Sequence, residues 1–137
     1  MRVCNAVMQG PTLTIVRSTS GHTFGGYASA AWNSGNGYML LQRYINAAGC
    51  FLFLVENPHG DAPTCFQCND NANAMAGRPS FGPTFGGGHD LYISDNGASS
   101  KFTMFPYSYT DTLGRAKATF TGAKDFTAED YEVWAAT

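Results

Sequence analysis

The amino-acid sequence predicts a mostly β protein, an antiparallel β-sandwich with a few short helices. Three observations carry that expectation. Short apolar or alternating runs recur about every ten residues, clusters of Gly, Pro, Asn and Ser punctuate them, and no segment holds a helical apolar period for long. The 137 residues suit one domain with a single core, residues 1–137, with no linker or low-complexity tract dividing it.

TLTIV (Thr12–Val16) alternates apolar and polar residues, RSTSGH is turn chemistry, and TFGGYASAAW resumes with β-branched and aromatic residues, so the pair reads as a hairpin. YMLLQRYI (Tyr38–Ile45) has the mixed spacing of a short helix, limited by the neighbouring NSGNG and NAAG. CFLFLV (Cys50–Val55) is a continuous apolar run, the pattern of a strand buried on both faces. ENPHGDAPT reads as a loop, CFQC as a short strand and NDNANAMAGRPS as a polar loop. DLYIS (Asp90–Ser94) reads as a half-buried strand with Leu91 and Ile93 on one face, and KFTMF (Lys101–Phe105) again has period two. In DFTAEDYEVWAA, Thr127 followed three residues on by Asp130 is a helix cap, and YEVW is a closing strand with Trp134 in the core. GPTL and FGGY in the first hairpin return as GPTF and FGGG near residue 85, a faint internal echo.

Composition excludes some functions. Charged residues are 13% of the chain and hydrophobic residues 44%, so the surface is neutral polar or partly covered by a partner. The net charge of −2 has no basic cluster, which argues against nucleic-acid binding. The start, MRVCNAVMQGPT, lacks the apolar run of a signal peptide, and no stretch approaches the ~20 apolar residues of a membrane helix. The expectation is an intracellular chain without membrane insertion. Cys4, Cys50, Cys65 and Cys68 are accordingly read as reduced, packed thiols.

FGPTFGGGHDLYIS (Phe81–Ser94) holds the richest constellation, and it fails most tests for a site. Gly82 and Gly87 have the outer spacing of a phosphate loop, but Gly88 and His89 stand where a lysine and a hydroxyl are needed. The dinucleotide pattern would need a small residue at Leu91, inside the expected strand. His89 and Asp90 are adjacent in an extended segment, so their side chains diverge and cannot form the orienting pair of a triad. Cys65-x-x-Cys68 is half of a zinc-binding spacing with no second close pair. A thiol nucleophile made from a distant cysteine and His22, His59 or His89 stays open. The expectation for Gly86–Gly88 is a tight turn or bulge with at least one φ above zero, and for His89 packing or a backbone hydrogen bond rather than catalysis.

GPTLTIVRSTSGHTFGGYASAAW, FLF, GPTFGGGHDLYIS and the terminal YEVW resemble, in that order and over nearly the whole chain, the TLDc domain of the oxidation-resistance protein family. The resemblance implies a β-sandwich edged by short helices, no established catalytic chemistry and no cofactor. It also implies a link to oxidative-stress resistance and a protein partner, since several members bind the vacuolar-type proton ATPase and influence its assembly. The residues it marks for interaction or family signature are Gly25, Gly26, Gly86, Gly87, Gly88, His89, Asp90, Glu132 and Trp134. It further implies a location in the cytoplasm or on the cytoplasmic face of an organelle membrane. Two departures stand out: the chain starts inside the region where a helical segment usually precedes Cys4–Gly10, and Gly49 replaces a Glu that many animal members carry. The competing expectation is a thiol-based redox or antioxidant enzyme using Cys65 and Cys68 or a Cys–His pair.

Overall fold

The computed structural model describes residues 10–32, 43–77, 81–94 and 101–135. Strands β1 (Thr12–Ser18), β2 (Thr23–Ala28), β4 (Phe51–Glu56), β5 (Thr64–Gln67) and β10 (Ala128–Ala135) form one antiparallel sheet in the order β10-β1-β2-β4-β5. Strands β3 (Arg43–Ile45), β6 (Met75–Gly77), β7 (Phe81–Phe85), β8 (Leu91–Ser94) and β9 (Lys101–Phe102) form the second, in the order β3-β6-β7-β8-β9. The two sheets make a sandwich, and the described helical content is two 3-10 turns at Asn71–Asn73 and Ala116–Ala118.

The predicted hairpin is present. β1 and β2 pair with Val16 opposite Phe24, and the turn closes with the Ser18 amide on the His22 carbonyl at 2.9 Å. Alternation drives Thr12, Thr14, Val16 and Ser18 inward, and Trp32 Nε1 donates to Thr12 Oγ1 at 3.0 Å. Between the sheets Phe24, Phe66, Phe105 and Phe120 pack ring on ring, with Phe66–Phe105 centroids 4.9 Å and Phe24–Phe120 centroids 5.0 Å apart. Each such fully buried ring contributes roughly 1.5–3 kcal/mol, and edge-to-face geometry adds to that. Two long loops are tied together at one end of the sandwich. Arg115 donates through Nε and Nη2 to Asp61 at 2.6 and 3.0 Å, Asn57 Nδ2 reaches both Asp61 and the Thr119 carbonyl at 2.8 Å, and His59 Nε2 lies 2.8 Å from the Ala118 carbonyl. Hydrogen bonding from Arg115 and then Asn57 holds Asp61 down at about 2.

Several sequence expectations are corrected. NDNANAMAGRPS contains β6, whose Met75, Ala76 and Gly77 are all buried, because pairing with β3 and β7 supplies the partners that local propensity does not. The apolar run from Cys50 is not buried on both faces: β4 begins at Phe51, sends Leu52 and Leu54 inward, and leaves Val55 43% exposed. Of Tyr38–Ile45, the last three residues are β3 rather than helix, and the rest lies outside the described residues. No helical turn follows Thr127, since β10 takes up Ala128–Ala135 along the whole of β1. β9 covers only Lys101–Phe102, although inward alternation continues through Thr103 to Phe105.

Candidate interaction surface

The glycine-rich segment forms a knot at one end of the second sheet. Gly86 has φ +93°, and its amide donates to the Ala74 carbonyl at 2.9 Å, while the His89 amide closes a turn on the Gly86 carbonyl at 3.1 Å. A Cβ on Gly86 would overlap Asp90 Oδ1, and on Gly88 it would come within 2.5 Å of the Tyr107 ring. Gly87 donates its amide to Ser108 Oγ at 2.8 Å, and its carbonyl accepts from the Tyr44 hydroxyl at 3.0 Å. Glycine is thus required at Gly86 by both conformation and space.

Asp90 is what the turn encloses. It is fully buried, and its carboxylate accepts the backbone N–H groups of Tyr107 at 2.7 Å, Ser108 at 3.0 Å and Tyr109 at 3.1 Å. Its carbonyl accepts from Thr103 Oγ1, and the Tyr109 hydroxyl reaches the Ala74 carbonyl at 2.7 Å. The segment 103–109 is therefore held to the turn mainly by the Asp90 carboxylate, with Ser108 Oγ, Thr103 Oγ1 and the Met104 amide adding further links. Asp90 begins no strand; it sits in the turn, and β8 starts at Leu91, so the divergence of neighbouring side chains in a strand is not what separates it from His89. His89, at φ +61°, stacks on Tyr92 with centroids 5.5 Å apart, and partial burial pushes its imidazole below its usual range.

Burial pushes the Asp90 carboxyl up to about 6, against the amides of Tyr107, Ser108, Tyr109 and Asp90 itself that pull it down. An acid with a raised folded-state value binds more protons folded than unfolded, so its contribution to stability is greatest below about 4 and falls as pH rises through about 6. Asp90→Asn removes that titration. The stability difference between native protein and variant is expected to shrink by roughly 2–3 kcal/mol from pH 4 to pH 7. Urea titrations across that range check it, and a constant difference would refute the assignment.

Glu132 and Trp134 lie elsewhere, on the outer face of the first sheet. Tyr131 and Val133 point into the core, so the alternate residues of β10 point out, and Trp134 is 56% exposed. The core placement of Trp134 is thereby corrected. Its Nε1 donates to Glu132 Oε1 at 2.8 Å. Cross-strand pairing sets Trp134, Leu13, Tyr27 and Phe51 in one row and Glu132, Ile15, Gly25, Phe53 and Cys65 in the next. A Cβ on Gly25 would overlap the Thr14 carbonyl and approach the Phe53 ring at 2.9 Å, so the glycine leaves the space that ring occupies. Gly26 faces inward under the Phe85 ring, 2.6 Å from where its Cβ would be.

The described residues of this face form two adjoining depressions, among others. One, of about 360 Å³, is lined by Leu13, Phe51, Phe53, Val55, Pro63 and Cys65 among others and is almost wholly apolar. The other, of about 670 Å³, lies over β1, β2 and β10 among Ile15, Arg17, Thr23 and the run Glu129–Glu132. Arg17 Nε pairs with Glu129 at 3.4 Å. Leu13, Phe51, Phe53 and Val55 were not singled out from the sequence; the period of two within FLFLV, read as alternation, places Phe51, Phe53 and Val55 on one face.

The predicted residues thus separate into a turn closed around the buried Asp90 (Gly86, Gly87, Gly88, His89 and Asp90) and a pair on the outer face of the first sheet, the half-buried Glu132 and the exposed Trp134, with Gly25 and Gly26 in β2 of that same sheet. Of the thiols expected to be packed, Cys50 is buried and Cys68 partly so, Cys65 is exposed instead, and Cys4 lies outside the described residues. Burial raises the Cys68 thiol. Among the described residues no group of three His, Cys, Asp or Glu side chains could hold a metal ion, and no helix is long and apolar enough to cross a membrane. A search of curated proteins returned no match. A scan against protein families matches the TLDc domain over residues 2–137. With that match over essentially the whole chain, and two antiparallel sheets holding the GGGHD and EVW segments as described, the chain belongs to the TLDc domain family.

Proposed function

We propose that this chain is a non-catalytic interaction module that docks on a larger protein assembly, the vacuolar-type proton ATPase foremost, and supports resistance to oxidants through that docking. The outer face of the first sheet carries this reading: Trp134, Leu13, Tyr27, Phe51, Phe53 and Val55 line up as a contiguous apolar surface on which Val55 and Trp134 are exposed and the others half-buried, the kind of patch that marks an interaction site. An exposed tryptophan at its edge is the kind of residue that anchors interfaces. The proposed location is the cytoplasmic face of an organelle membrane.

Trp134→Ala is expected to cost less than about 1 kcal/mol of stability, as an exposed site should. The same change is expected to weaken binding to purified proton ATPase by at least about tenfold. Urea unfolding and a quantitative pull-down measure the two effects. A variant that binds as well as the native protein, or a native protein that does not bind, refutes the reading.

The exposure of Cys65 favours a second reading, thiol chemistry on the same face. Peroxide consumption by the native protein that vanishes in Cys65→Ser would establish it. The docking reading expects Cys65 to react with a thiol reagent in the native state, no peroxide turnover, and unchanged assembly binding in Cys65→Ser.

A further inference from the structure

We infer that the outer face of the first sheet receives a basic amphipathic helix of a partner protein, with apolar side chains in the groove at Phe51, Phe53 and Val55 and an arginine or lysine on Trp134 and Glu132. This rests on the docking reading and adds the chemistry of the partner. Trp134 and Glu132 form a cation receptor: the indole N–H is bonded to the carboxylate at 2.8 Å, which fixes the ring beside a negative charge while the ring stays 56% exposed. The neighbouring depression sets Glu129, Asp130 and Glu132 against a single guanidinium, Arg17, already paired with Glu129. An acidic end thus adjoins an apolar groove.

The dimensions suit a helix laid across the strands. From β4 to β10 there are three strand spacings, about 14 Å, which an α-helix covers in about ten residues. A helix of that length can place an apolar side chain in the groove and a cation about two turns away on the same face. A second copy of this chain fits poorly, because it would set acidic β10 against acidic β10. An anionic lipid surface is disfavoured by the same charges.

The test uses an amphipathic helical peptide of about 14 residues built from Leu and Lys, its Leu and Glu counterpart, and phosphatidylserine-containing vesicles, each titrated calorimetrically into the full chain. The Leu/Lys peptide is expected to bind, with affinity falling as salt rises. Trp134→Ala should weaken it about tenfold or more and Glu132→Gln about fivefold. Asp125→Asn, which removes an exposed carboxylate away from this face, should leave binding unchanged. Equal binding of the Leu/Glu peptide, binding to the vesicles, or indifference to both Trp134→Ala and Glu132→Gln overturns the inference. If Trp134→Ala abolishes assembly binding while the peptide ignores both variants, only the basic-helix assignment falls. If the peptide behaves as expected while Trp134→Ala still docks, the docking reading falls and the receptor stands.

Discussion

Asp90→Ala is expected to lower stability by about 4 kcal/mol at neutral pH. Three consecutive amides, those of Tyr107, Ser108 and Tyr109, lose their acceptor at once, and the last two belong to buried residues. Each buried donor left without a partner costs about 1–3 kcal/mol, and water entering the vacated space recovers part of the sum. Removing a buried carboxylate also relieves its desolvation, the same force that raises Asp90 to about 6, which keeps the net loss below the full total. The damage does not stay local. The segment these amides belong to carries Phe105 and Tyr109, both fully buried, and Phe105 packs against Phe66 and Phe120 in the main aromatic cluster. Asp90→Asn, which keeps one acceptor oxygen but points an amide donor at other donors, should fall between native protein and Asp90→Ala. Urea denaturation measures all three, and a loss below about 1 kcal/mol for Asp90→Ala would show that water replaces the carboxylate without penalty.

What could be read from the residues follows from where the physics is local. The β1–β2 hairpin was legible because alternation, β-branched residues and a turn all agree within Thr12–Ala28. Leu91 and Ile93 were placed on the buried face of β8 for the same reason. β6 was not legible: Met75–Gly77 is buried by its neighbours β3 and β7, a long-range cause that leaves no mark in AMAG. Trp134 departs from its expected place for a different reason. Its hydrophobicity argued for the core, but the period of two puts it on the same face as Glu132, and the buried pair Tyr131 and Val133 takes the other. Parity within the strand outweighs the size of one side chain. The three glycines ahead of His89 announced a backbone constraint correctly, with Gly86 at φ +93°, yet nothing in the order of residues revealed that Asp90 was the group the turn encloses, because its partners lie 17 to 19 residues further on.

Gly86→Ala is expected to be the other severe substitution, with a loss of roughly 3–5 kcal/mol. Two costs combine. An L side chain at φ +93° is strained by about 1–2 kcal/mol whatever surrounds it. The added methyl would also overlap Asp90 Oδ1, and it could be accommodated only by moving a carboxylate whose position is fixed by three amides. Gly21 supplies the comparison, since it has φ +91° but no atom within 4 Å of where its Cβ would lie. Gly21→Ala should therefore show the conformational cost alone, and the excess in Gly86→Ala measures the collision. The collision also predicts a sign for the double variant: with the carboxylate already gone in Asp90→Ala, adding Gly86→Ala should cost less than it does in the native background, exceeding Gly21→Ala only by the remaining tight contact with the Cβ of residue 90 at 3.0 Å. Neighbouring substitutions that share a partner are non-additive in this way. If Gly86→Ala matches Gly21→Ala in the native background, or if the double variant loses the full sum of its parts, the turn is not built around Asp90.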